Sequence, residues 1–95
     1  MNLKKMIKVE LAKSGNRISL DFINRLIEVS EIEYFSLSPN TRVCLLRLPT
    51  GHEIIGKAQV LDAKNDVEMI GKSVARTDAK NQLWQLVGTI AKLYV

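Results

Sequence analysis

"TRVCLLRLPTGHEIIGKAQVL", residues 41–61, holds the chain's single cysteine, Cys44, and its single histidine, His52. The stretch reads as two β-strands, about 41–48 and 52–61, joined at Leu48-Pro49-Thr50-Gly51. Proline at the second position of a type I turn, followed by glycine in the left-handed position, gives the three-residue hairpin loop with a bulge. The turn then sets the register. With Leu48 and His52 flanking it, Leu46 faces Ile54 and Cys44 faces Gly56 on one side of the sheet. On the other side Arg47 faces Glu53, Leu45 faces Ile55 and Val43 faces Lys57. The opposite-charge pair and the aliphatic pairs favour this alignment, and a one-residue slip would lose them.

The register decides what the cysteine and histidine can do. Cys44 lies opposite residue 56, and His52 is four residues back along that strand, roughly 13 Å away at the rise of a strand. A nucleophile and its base need hydrogen-bond reach, so the two do not form a dyad within one chain. A metal site needs three or four protein ligands, and one Cys with one His falls short. Cys44 is expected as a packed small residue and His52 as a solvated one beside the loop. No phosphate-binding glycine loop or nucleophile elbow occurs. Glu31 and Glu33 share a strand face without an evident acid–base partner. The reading is therefore of a non-enzyme with no catalytic residue, no metal and no cofactor.

Outside the hairpin, Leu20, Ile23, Leu26 and Ile27 fall at helical spacing after Ser19, a helix N-cap, which predicts a short helix over about 20–29. Residues 31–38, EIEYFSLS, are rich in strand formers and end in the turn Ser38-Pro39-Asn40. From 67 to the C-terminus apolar positions recur three or four apart, which predicts one long helix, kinked or ended near Gly88. Asn65 and Glu68 resemble its capping pair. Residues 1–17 are basic: Lys4, Lys5, Lys8, Lys13 and Arg17 stand against Glu10 alone, while the rest of the chain is balanced. Their pattern fits either a strand (Ile7, Val9, Leu11) or a helix (Leu3, Met6, Ile7, Leu11), and Ser14-Gly15-Asn16 breaks it. Two units are expected: a basic leader, 1–17, and a single domain, 18–95.

These elements assemble into an α+β fold: a short N-terminal helix, a three-stranded antiparallel meander and a long C-terminal helix packed on the sheet. Cys44 opposite Gly56 makes a saddle of small residues. Gly71, Ala75 and Ala79, four apart on the long helix, match it and allow close approach, with Trp84 covering the far end of that face. The middle strand is apolar on both sides, so the second face needs a cover. The N-terminal helix supplies it, or else Val43, Leu45 and Ile55, with Arg47 and Glu53, form a surface for a partner or a second copy.

Two segments, "VCLLRLPTGHEIIGKA" and "IGKSVARTDAKNQLWQLVG", resemble a family of small tailed-phage and prophage proteins named after two phage gene products, of the gene-forty-nine and gene-sixty-six type. The resemblance rests on Val43, Cys44, Leu48, Gly51, Gly56 and Ala58, then on Gly71, Ala75, Ala79, Trp84, Leu86 and Gly88. It covers roughly two-thirds of the chain. Nearly all of these positions are small or apolar, which implies a shared fold rather than shared catalysis. The resemblance implies phage origin and the cytoplasm of a bacterial host, and carries no activity to transfer. The chain has no apolar run of the ~20 residues that a membrane span requires.

Three roles remain in view. The first is an accessory protein that binds a host or phage protein, modulating the host or its defences. The second is nucleic-acid binding through Lys4, Lys5, Lys8, Lys13 and Arg17, which predicts strongly salt-dependent binding. The third is a homo-oligomer that sequesters a small anionic ligand between subunits.

Overall fold

The computed structural model describes residues 2–59 and 68–94. Three helices and three strands follow in the order α1 (Leu3–Lys13), α2 (Leu20–Glu28), β1 (Glu31–Ser38), β2 (Thr41–Arg47), β3 (Glu53–Gln59) and α3 (Glu68–Ala91). The strands form an antiparallel meander in the order β1-β2-β3, and α3 packs on it, as the α+β reading expects. The molecule measures 49 × 20 × 19 Å because α3 runs on beyond the sheet.

The hairpin register is the one set by its turn. Leu46 pairs with Ile54, Cys44 with Gly56, Leu45 with Ile55, Val43 with Lys57 and Arg47 with Glu53. Gly51 takes a left-handed φ of 90°, its N–H donates to the Leu48 carbonyl, and the Leu48 N–H donates to the His52 carbonyl at 2.8 Å. Strand β3 ends at Gln59, and positions 60 and 61, read as strand, lie outside the described residues. So does Asn65, half of the expected capping pair.

Ser19 caps α2, its hydroxyl accepting from the Phe22 N–H at 3.1 Å. The basic segment is resolved in favour of helix. Asn2 caps α1, accepting from the Lys5 N–H, and Leu3, Ile7 and Leu11 come one above another at four-residue intervals and are buried. A strand would have turned Ile7 and Val9 to the same face of a sheet; here Val9 is exposed and Ile7 is fully buried. Residues 3–13 thus contribute to the same hydrophobic core as α2, the sheet and α3, rather than trailing from it.

Helix α3 passes through Gly88 without ending there. Its buried positions are Gly71, Ala75, Ala79, Leu83, Val87 and Ala91, every fourth residue. Four residues advance a helix about 40° past a full turn, so this seam rotates by about 200° between Gly71 and Ala91. The first half faces the sheet. Its flank at Ser73, Arg76, Thr77 and Lys80 shares a cleft with Asn24, Ile27 and Glu28 of α2. At the far end the Lys8 ammonium of α1 stands 5.2 Å above the Tyr94 ring. One helix therefore serves the sheet at its N-terminal half and the short helices along its rotated flank. Trp84 is half-buried against the core.

Candidate functional site

Side chains of a strand alternate between faces, and the register sorts the residues of interest. Ile32, Tyr34, Cys44, Leu46, Ile54, Gly56 and Ala58 point toward α3. Cys44 is completely buried there. Burial pushes its thiol pKa up and the charge of Arg76 opposes this only in part, so the thiolate that nucleophilic chemistry needs is disfavoured. His52 is exposed in the turn with Nδ1 2.9 Å from the Thr50 hydroxyl. The two residues expected to be unrelated are on different elements of the surface and core, and among the described residues no cluster of His, Cys, Asp and Glu is arranged to hold a metal.

The opposite face is built by three cross-strand rows. Glu31, Arg47 and Glu53 form the first, Glu33, Leu45 and Ile55 the second, and Phe35, Val43 and Lys57 the third. All five residues expected to contact a partner, Val43, Leu45, Arg47, Glu53 and Ile55, lie here together. The expected cover is not supplied by the N-terminal helices: α1 and α2 pack on α3 instead. The physical reason is the rotating seam, which gives both short helices an apolar surface away from the sheet. As a result Ile55 is 52% exposed and Phe35 45%, with Leu37 at 71% beside them, whereas Val43 is buried beneath and Leu45 half-buried.

Arg47 is the electrostatic centre of this face. Its guanidinium lies 3.2 Å from Glu33, 3.3 Å from Glu53 and 3.8 Å from Glu31, bridging all three strands. The hydrogen bond and charge of Glu33, joined by those of Glu53, raise its pKa further above the ordinary arginine range. Exposed ion pairs of this kind are screened by solvent and contribute little to stability, so the network fixes the charge pattern of the rim more than it stabilises the fold.

Sequence reasoning missed two arrangements. The first closes the β3 edge: the Asp78 carboxylate accepts from the Lys57 N–H at 2.8 Å, and the Gln82 side-chain amide donates to the Ile55 carbonyl at 2.7 Å and to Asp78 at 3.1 Å. Two polar residues one turn apart on α3 thereby satisfy an edge that would otherwise template another strand. Replacing Asp78 with alanine is expected to cost about 1 kcal/mol, the net contribution of such a bond. Hydrogen exchange at the Lys57 amide is expected to accelerate while amides at the centre of β2 stay protected. The second arrangement is a cavity of about 170 Å³ lined by Tyr34, Ser36, Arg42, Val43 and Lys72, among others. Its cations are engaged: the Arg42 guanidinium donates to the Ser36 hydroxyl, and the Lys72 ammonium stands 5.4 Å over the Tyr34 ring.

The five basic residues of the N-terminal segment, Lys4, Lys5, Lys8, Lys13 and Arg17, are all exposed. On α1, Lys4, Lys5 and Lys8 fall within about 100° of one another and Lys13 about 80° beyond, all outside the buried stripe of Leu3, Ile7 and Leu11. No described helix is long and apolar enough to cross a membrane.

Among the small residues carrying the family resemblance, Gly56 and Gly71 sit at close approaches. A Cβ at Gly56 would meet the Ala75 carbonyl and the Ala79 amide, and one at Gly71 would meet Arg42. A family model matches residues 18–94, while no curated protein and no solved structure matches the chain. The match begins just before α2 and takes in the whole meander and α3, and so the chain belongs to the phage protein (N4 Gp49/phage Sf6 gene 66) family.

Proposed function

We propose that this is a non-catalytic phage accessory protein that acts in the host cytoplasm by binding a host or phage protein through the helix-free face of its sheet. One observation carries the reading: Phe35, Leu37 and Ile55 are large apolar side chains exposed around buried Val43 and half-buried Leu45, with charged Glu31, Glu33, Arg47, Glu53 and Lys57 about them. An apolar centre inside a polar rim is the anatomy of a protein interface, and its aromatic, Phe35, is of a residue type enriched there. The buried, unactivated Cys44 and the distant His52 supply no opposing catalytic reading. A role in host modulation or anti-defence fits a phage protein that works by occupancy rather than turnover.

The test is affinity capture from infected and uninfected host lysate with the wild-type chain and with Ile55→Lys. Ile55 sits on the solvent side of β3, so the variant is expected to keep the wild-type circular dichroism and melting temperature. It is expected to lose a stoichiometric partner at least tenfold, a desolvated apolar contact being exchanged for a charge. A partner retained equally by both proteins, or none recovered in either lysate, overturns the assignment.

A further inference from the structure

The two edges of the sheet are treated differently. The Leu48 N–H donates to the His52 carbonyl, which makes 48 and 52 a hydrogen-bonded pair. Bonded and non-bonded pairs alternate along an antiparallel ladder, so the even-numbered residues of β2 and β3 bond to each other. The odd residues of β3 point outward, and there Asp78 and Gln82 meet Lys57 and Ile55. Carried across β2, the same alternation bonds Arg47, Leu45 and Val43 to Glu31, Glu33 and Phe35. The backbone N–H and C=O groups of Ile32, Tyr34 and Ser36 are thereby directed out of the sheet. No backbone hydrogen bond outside the ladder satisfies them among the described residues.

We propose that this β1 edge pairs antiparallel with the β1 edge of a second copy of the chain, about a two-fold axis perpendicular to the sheet. The product is a continuous six-stranded sheet with both α3 helices on one side. Such an axis pairs residues of the same face, so the register is centred on a single residue. Centring on Glu33 sets two Glu33 carboxylates opposite each other, which is destabilising. Centring on Phe35 requires Ile32 to pair with Ser38, beyond the irregularity between Ser36 and Ser38. Centring on Tyr34 uses all three outward residues: Tyr34 pairs with its own copy and Ile32 with Ser36. It sets Glu33 across from Phe35 and Glu31 across from Leu37, so no like charges meet. About six backbone hydrogen bonds form.

The edge therefore matches itself in hydrogen bonding and in charge. The pairing also places Phe35 of each copy one residue from the axis, bringing the two exposed apolar patches onto one face of the joined sheet. The contact is short and belongs with the small, reversible interfaces, with dissociation on the order of micromolar concentration.

Sedimentation equilibrium over a concentration series, with Ser36→Pro and Ile55→Lys alongside the wild type, tests the pairing. Proline at an outward-facing edge position keeps the intramolecular ladder and blocks the next strand. The expected result is a wild-type monomer–dimer equilibrium, a Ser36→Pro protein that stays monomeric, and an Ile55→Lys protein that dimerises as the wild type does. A wild-type protein that remains monomeric at hundreds of micromolar overturns the proposal. So does a dimer that survives Ser36→Pro, including one abolished only by Ile55→Lys, which would place the contact on the sheet face. Should Ser36→Pro fail to fold, amide exchange on the wild type decides. The amides of Ile32, Tyr34 and Ser36 gain protection with rising concentration if the edge pairs, and exchange at a concentration-independent rate if it does not. Loss of the lysate partner in Ile55→Lys with the dimer intact separates this inference from the proposed function.

Discussion

Replacing Gly56 with alanine is expected to lower the unfolding free energy by about 3 kcal/mol or more, the upper end for overpacking a closed site. In a domain of this size that corresponds to a fall in melting temperature of roughly 12–24 °C. An added Cβ would lie 2.1 Å from the Ala75 carbonyl oxygen, 2.4 Å from the Ala79 amide nitrogen and 2.8 Å from the Ala79 Cβ. Two of these obstacles are backbone of α3, which cannot rotate away. Relief requires lifting the helix from the sheet, and that movement would also pull Asp78 and Gln82 from the β3 edge they close. Gly71 differs, because a Cβ there meets first the Arg42 Cγ at 3.0 Å, part of a flexible side chain. Gly88 differs again: nothing lies within 4 Å of its would-be Cβ and it sits inside a helix. Gly88→Ala is the matched control, expected to stabilise by about 0.5–1 kcal/mol through helix propensity. Thermal or urea unfolding of the pair checks both signs, and equal effects at the two positions would contradict the close approach at Gly56.

That saddle was legible in the sequence because turn chemistry fixes register and register fixes partners. Once Pro49, Thr50 and Gly51 define the loop, Cys44 must face Gly56, and a row of Gly71, Ala75 and Ala79 on a helix is the natural complement. The candidate face was legible for the same reason, since Val43, Leu45, Arg47, Glu53 and Ile55 share a strand parity. Whether that face has a cover was not legible. Apolar alternation states that burial is favourable and not which element provides it, and the rotation of the α3 seam that draws α1 and α2 aside depends on the length of packed helix. The capping of β3 by Asp78 and Gln82 was also hidden, because it joins residues 21 and 27 positions apart through the angle at which α3 crosses the sheet.

The N-terminal segment gives the second large effect. Ile7→Ala is expected to cost about 2–5 kcal/mol, the range for truncating a fully buried isoleucine, a large share of the roughly 5–15 kcal/mol that holds a domain together. Ile7 is completely buried, as Leu3 nearly is, and both belong to the core formed with α2, the sheet and α3. The basic side chains of the same helix are exposed, so glutamine at Lys4, Lys5 and Lys13 is expected to change stability by no more than about 0.5 kcal/mol at each site. Lys8 is left in place because its ammonium lies over Tyr94. The contrast matters for any nucleic-acid role of the segment. Deleting residues 1–17 removes Leu3, Ile7 and Leu11 together with the charges, so lost binding would report lost packing as readily as lost phosphate contacts. The triple glutamine variant removes charge alone. If salt-dependent nucleic-acid binding is a property of this helix, it weakens in the triple variant at an unchanged melting temperature, with a shallower dependence on salt. Binding that survives the triple variant and vanishes in Ile7→Ala would instead belong to the folded domain as a whole. An Ile7→Ala protein as stable as wild type would show that α1 does not pack where its buried stripe places it.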